Sequence, residues 1–352
     1  MKSTLLKLTL VLVFNLVGGI TLRATEPDAQ PSPRMIGAQN EVASQAQQSL
    51  LPFLDPEKAP VVNAIIKALP EKLSAPGGHK RRILTINYNL HNPMGAAGLL
   101  TILRAAEKKY GAFELTEAYT TEGIDAKMLG GFDAVVINNT SLMKRDYAHP
   151  EQGDKIWGAT VEEKQVLYSF YENLLPGYVK NGGGLFVVHG GILVGGKVYH
   201  EMLGATLGAP GSTSVHPPCC YTIPFFGVRM PDPADPLAAA FIEEKSPIKI
   251  KTETYVIGPD SNMENASHVI LSIDRDTIPK DGFPYGANDY SFSLIWHKPY
   301  GKGRVYVCQI GHDEAFYAKP FISRAFLDGI QYVDGDLKVP PPPATTETTT
   351  KP

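Results

Sequence analysis

The side chains best suited to chemistry stand where apolar runs end. Gly184 to Val188 is one such run, and His189 follows it, backed by Gly190 and Gly191. Histidine is the one side chain whose ordinary pKa lies near neutrality, so it moves protons or ligates a metal at physiological pH. The glycines behind it allow a sharp turn and a close backbone approach that a Cβ would block. The turn has the form of a nucleophile elbow. Neither Ser nor Cys occupies it, which disfavours covalent acyl transfer. A second run, Arg304 to Ile310, ends in Gly311-His312-Asp313-Glu314, where a carboxylate stands beside an imidazole that it is expected to orient. Arg82 to Tyr88 leads to His91, and Phe132 to Ile137 leads to Asn138 and Asn139. Glu253, in the strand-like segment Thr252-Glu253-Thr254-Tyr255, offers a further carboxylate. His189, His312, Asp313 and Glu253 are therefore the catalytic candidates, and His91, Asn138, Asn139, Gly190 and His216 the ligand-binding ones. His91, His189, His312 and Glu253 also suit a mixed nitrogen and oxygen site for a divalent metal. No HExxH-type spacing marks such a site, and its metal is left open. His200 falls on a helix, and His297 ends a strand and is expected to face solvent.

These residues need a scaffold that brings strand ends together. The chain alternates between apolar runs and helical patterns. Gly95 to Tyr110 places Leu99, Leu100, Leu103 and Ala106 on one face, Phe113 to Tyr119 alternates like a strand, and Val161 to Val179 is a helix broken near Pro176. Ser291 to Trp296 is a further strand, and Phe321 to Tyr332 a closing helix. Near-continuous apolar strands alternating with helices predict an α/β fold, a parallel sheet covered on both faces. Ligands in such folds sit beyond the C-terminal strand ends, which is where the candidates cluster. Thr222 to Ile273 holds shorter extended segments, expected to add antiparallel strands or a flap. The triplet Gly182-Gly183-Gly184 precedes its strand, so it ends a helix rather than cradling phosphate. With no GxGxxG or P-loop lysine, no nucleotide cofactor is expected.

Composition sets outer bounds. The 352 residues are 43 % hydrophobic with a net charge of -3, and no basic patch suggests a nucleic-acid partner. Lys2 and Lys7, an apolar run from Leu8 to Ile20 and small residues near Ala24 predict a cleaved signal peptide over residues 1–24, too short an apolar run for a stable membrane span. The mature protein is then periplasmic or secreted. Residues 25–78 read as an N-terminal extension and linker with one helix at Val61 to Leu69. Residues 79–339 read as the main domain, and 340–352 as a disordered Pro/Thr-rich tail. Cys308 is expected to pack within a strand, while a vicinal disulfide between Cys219 and Cys220 is left open.

Four segments carry a family resemblance: Arg82-Ile83-Leu84-Thr85 leading to His91; Phe132-Asp133-Ala134-Val135-Val136 with the following Asn-Asn-Thr; Gly182 through His189-Gly190-Gly191; and Gly301-Lys302-Gly303-Arg304-Val305 through Gly311-His312-Asp313. Together they resemble the ThuA-like (trehalose utilisation) domain family of the class I glutamine amidotransferase-like superfamily. The resemblance implies a flavodoxin-like, doubly wound, mostly parallel sheet, to which the residue pattern adds extra strands and loops in the 206–280 region. It implies that His189 stands where true glutamine amidotransferases carry Cys, so a glutaminase is disfavoured. It also implies a link to sugar metabolism. The segment Thr206 to Cys220 is longer than the family's usual Phe-x-x-His-Pro stretch, and Asp235-Pro236 stands where a second His-Pro is common. The insertion 142–160, with Tyr147, His149 and Trp157, reads as a lid or a saccharide-stacking surface. The resulting expectation is an exported enzyme acting on a small saccharide or keto-sugar by acid/base chemistry, with or without a metal: an isomerase, a lyase or hydratase, or a hydrolase. The alternative is a non-catalytic carbohydrate-binding or assembly protein on the same scaffold. Whether it forms a homo-oligomer is left open.

Overall fold

The parallel core is built from five short strands, most of them rich in Val, Ile and Leu: β2 (Arg81–Ile86), β3 (Phe113–Ala118), β4 (Ala134–Asn138), β5 (Gly184–Val188) and β10 (Gly303–Cys308). They lie in the order β3-β2-β4-β5-β10, and β1 (Met35–Ile36) adds a short parallel strand to the outer edge of β3. Alternation along each strand sends successive side chains to opposite faces. Ile83, Val136, Phe186 and Tyr306 enter one core, and Leu84, Val135, Leu185 and Val305 the other. The first core is closed by α3 (Pro93–Tyr110) and by the final helix, α10 (Pro320–Asp334). The second is closed by α5 (Val161–Ser169), α6 (Leu175–Lys180) and α7 (Lys197–Leu203). Short α4 (Ala126–Leu129) precedes β4, and short α8 (Ala239–Ile242) follows β6 in the chain. The computed structural model describes residues 35–36, 41–57, 59–88, 92–140, 161–194, 196–205, 226–244, 247–255, 267–277 and 293–340. The proposed signal and tail, His91, the insertion 142–160, His216, Cys219 and Cys220 lie outside the described residues.

Beyond β10 the sheet continues antiparallel through β9 (Ser293–Tyr300), β8 (His268–Ile273), β6 (Phe226–Arg229) and β7 (Lys249–Ile250), as the proline-interrupted stretch predicted. This makes ten strands among the described residues, in an α/β fold with a mostly parallel core. Cys308 is a buried free thiol in β10, as its apolar surroundings suggested. Among the described residues no helix is long and apolar enough to cross a membrane.

Three details differ from the sequence expectations. The helix before β5 does not break at Pro176. A single π-turn, Phe170–Leu174, joins α5 to α6 and leaves Pro176 in the first turn of α6. A proline lacks an N–H, and at such a position none is needed for the ladder. The π-turn carries Glu172, whose buried carboxylate accepts the N–H groups of Gly196, Val198 and Tyr199 and so caps α7. Second, residues 41–78 form two helices rather than one, α1 (Glu41–Leu54) and α2 (Pro60–Lys67), with Leu50 and Ile65 fully buried in the first core. The segment that follows is fastened to α10: Ser74 Oγ donates to Asp328, and Gln331 brackets both backbone groups of Ala75. Third, His297 does not face solvent. Strand β9 continues three residues past it, and its ring is buried, bonded to Asp235 at 2.7 Å and stacked on His268.

Candidate active site

Strand β5 ends at Val188, and the chain turns at once into the short 3-10 helix His189–Leu193. His189 adopts φ +45°, the left-handed region that a side chain enters at a cost of about 1–2 kcal/mol. Its ring, wholly buried, explains why the position holds. Nδ1 lies 2.8 Å from the backbone carbonyl oxygen of Gln309. A carbonyl only accepts, so Nδ1 carries the proton and the lone pair of the neutral ring is fixed on Nε2. Nε2 sits 2.9 Å from the Tyr255 hydroxyl, which donates to it, and 3.7 Å from Glu253 Oε2.

His312 enters from the adjacent strand end. Its Nε2 lies 3.2 Å from the same Glu253 oxygen, and its ring stands edge-on to that of His189, centroids 5.4 Å apart. His189 and Glu253 are buried, whereas the His312 side chain is 41 % exposed, so His312 marks the mouth of the site. Burial pushes the His312 pKa below 6.5, nearby His189 pushes it further down, and Glu253 and Asp313 oppose both. The ring is therefore neutral at pH 7 and offers a lone pair.

Glu253 and Tyr255 come from a segment without regular structure, not from the strand that its alternation suggested. What positions it is Gln309, itself buried. Gln309 Oε1 accepts the Tyr255 N–H at 2.7 Å and Gln309 Nε2 donates to the Ser293 carbonyl at 2.6 Å, while its own carbonyl holds His189. One residue thus fixes the histidine and docks the segment facing it. Neither Gln309 nor Tyr255 was among the sequence candidates. Gln309 is a polar side chain inside an apolar run, and Tyr255 shares with Glu253 one phase of the alternation in Thr252-Glu253-Thr254-Tyr255; those were the available signals.

Several candidates hold the frame rather than the mouth. Asp313 does not orient His312; its exposed carboxylate accepts the Ala315 N–H at 2.9 Å and caps the short helix α9 (Glu314–Tyr317). The acid touching His312 is Glu253. Asn138 is fully buried, and its amide donates to Asn87 Oδ1 and to the Ala96 carbonyl. Asn139, with φ +52°, donates to the Gly311 carbonyl and ties the end of β4 to the end of β10. Gly190 is buried in the turn behind His189. His200 bonds to the Ile192 carbonyl and braces the same turn. The start of α3 abuts this region so closely that a Cβ on Gly95 would lie 2.0 Å from the Gly311 oxygen.

A second cluster, Asp235, His268 and His297, lies within the antiparallel arm. Its two imidazoles stack at 4.7 Å and only 13° apart, so their in-plane lone pairs run side by side rather than toward one point. The rings of His189 and His312 cross at 78° with Glu253 between them, an arrangement that focuses donors on a shared ligand or proton.

Residues 83–333 match the family described as ThuA, trehalose utilisation. No curated protein sequence matches the chain significantly. Among solved structures, the chain is similar to a ThuA-like protein from Bacteroides uniformis (14 % identity, covering 74 % of this chain and 94 % of that one, TM-score 0.48). It is also similar to a ThuA-like protein from Parabacteroides merdae (15 % identity, 74 % and 93 % covered, TM-score 0.44) and to the cytoplasmic protein STM3548 from Salmonella typhimurium (15 % identity, 71 % and 98 % covered, TM-score 0.42). With the family match spanning most of its length, the chain belongs to the ThuA trehalose-utilisation family.

Proposed function

We propose that the protein is an enzyme that moves protons on a saccharide, in particular a keto-sugar, with His189 as the base. The observation that carries this is the locked imidazole: Nδ1–H is spent on the Gln309 carbonyl, leaving a buried lone pair on Nε2 beside Tyr255, Glu253 and His312. An imidazole held with its lone pair aimed into the site suits removal of a proton from the carbon next to a sugar carbonyl. That proton reaches Nε2, Glu253 stabilises the imidazolium that forms, and His312 at the mouth exchanges a proton with a sugar oxygen. Isomerisation, elimination and cleavage at a keto-glycoside all share this first step. The saccharide class rests on the family's description as trehalose utilisation. An exported setting belongs to the same proposal and rests on Lys2, Lys7 and the apolar run that follows.

The test is incubation with a panel of glucosides and 3-keto-glucosides, with products followed by mass spectrometry. At least one keto-glucoside should turn over, and His189→Gln should slow it by roughly 10²–10⁴-fold, the usual worth of a positioned acid/base group. Binding without turnover across the panel, or undiminished turnover in the variant, overturns the proposal.

A further inference from the structure

We infer that His189 Nε2, Glu253 Oε2 and His312 Nε2 form a binding site for one first-row divalent cation of the zinc type. The inference rests on the site proposed above, and a cation there takes the His189 Nε2 lone pair, so it competes with the substrate proton for that atom. The three ligand atoms lie within 4.8 Å of one another, with carboxylate-to-imidazole separations of 3.2 and 3.7 Å. A tetrahedral ion bonded at 2.0–2.1 Å holds neighbouring ligands about 3.3–3.4 Å apart. The two carboxylate separations bracket that value.

The donor chemistry agrees. A metal-binding histidine donates its other ring N–H to a carbonyl or carboxylate, which fixes the tautomer and aims the lone pair. The Gln309 carbonyl does this for His189. Two imidazoles and one carboxylate select transition metals over Mg²⁺ or Ca²⁺, and three protein ligands leave a position open for water or substrate. The Tyr255 hydroxyl now uses the His189 lone pair. It therefore competes with a cation for Nε2, and that competition separates a metal ligand from a histidine whose partner is the tyrosine.

The purified full-length protein, stripped with chelator, is titrated with Zn²⁺ by calorimetry, and bound metal is counted by plasma mass spectrometry. One Zn²⁺ per chain is expected, undisturbed by millimolar Mg²⁺. His189→Ala, Glu253→Gln and His312→Ala should each weaken binding about 100-fold, since the free energy of a zinc site is shared among few ligands. Tyr255→Phe should bind as tightly or more tightly. His312→Ala, at the exposed mouth, keeps the test meaningful where the buried variants fail to fold. Absence of Zn²⁺ binding in the wild type, binding untouched by these three variants, or loss of binding in Tyr255→Phe with retained melting temperature overturns the inference. The two readings fail separately. Zinc binding with no turnover by either metal-free or loaded protein leaves the metal site standing and sinks the substrate proposal; turnover by a protein that binds no Zn²⁺ does the reverse.

Discussion

Gln309→Met offers the sharpest test of how the site is assembled. Methionine fills a similar volume but can neither accept the Tyr255 N–H nor donate to the Ser293 carbonyl, bonds of 2.7 and 2.6 Å in a buried setting. Each buried backbone group left unpaired costs about 1–3 kcal/mol, so the variant should lose roughly 2–6 kcal/mol. For a domain of this size that lowers the melting temperature by about 5–20 °C. The loss should be local as well as global. The Gln309 backbone carbonyl survives the substitution, so His189 stays locked, whereas the segment carrying Glu253 and Tyr255 loses its anchor. Amide hydrogen exchange followed by mass spectrometry reads this directly. Peptides spanning 251–255 should exchange much faster, and those spanning 184–193 should change little. A melting shift under about 2 °C with unchanged exchange at 251–255 refutes the claim that one side chain docks the segment carrying Glu253 and Tyr255.

Two further outcomes follow from packing and charge. Gly184→Ala and Gly303→Ala would place a Cβ 2.2 Å from the Val333 carbonyl oxygen and 2.1 Å from that of Val179, so each should cost more than about 3 kcal/mol or abolish soluble expression, whereas Gly78→Ala, with open space around it, should melt like the wild type. Burial raises the Asp334 carboxyl from 3.8 to about 7. A raised carboxyl pKa favours folding only while the group stays protonated, so this residue should cost up to about 3–4 kcal/mol as the pH climbs from about 4 to 8. Urea unfolding across that range should show Asp334→Asn more stable than the wild type at pH 8 and not at pH 4; equal stability at both ends refutes the assignment.

Most of the fold was legible because burial on both faces leaves a strong signature. The runs at β2, β4, β5 and β10 have no polar side to hide, and each lies within two residues of its expected place. What escaped depended on contacts distant in sequence. Helix α1 is rich in Gln, Ser and Ala, and its apolar stripe acquires meaning only against α3. The π-turn at Phe170–Leu174 is set by Glu172 reaching the start of α7, more than twenty residues on, which no local periodicity encodes. His297 read as a strand end because the apolar run stops at Trp296, yet Asp235 supplies a partner that lets the imidazole stay buried.

The site shows the same division between local and distant information. His189, His312 and Glu253 were visible because each is a titratable residue in a telling place, and the structure brings all three together. Pairing His312 with Asp313 failed because adjacency in sequence is a poor guide to adjacency of side chains. An Asp two residues before Ala315 serves the unpaired N–H groups at a helix start, a demand it meets without any help from the histidine. The partner His312 does have is 59 residues away and arrives on a segment whose position depends on Gln309. The left-handed backbone at His189 points to the same conclusion. A side chain accepts that strain only where the surroundings hold it, and here the holding group is the Gln309 carbonyl. Gln309 therefore sets the histidine's tautomer through its backbone and the placement of the acid through its side chain. That is why its substitution, more than that of any ionisable residue in the cluster, separates assembly of the site from its chemistry.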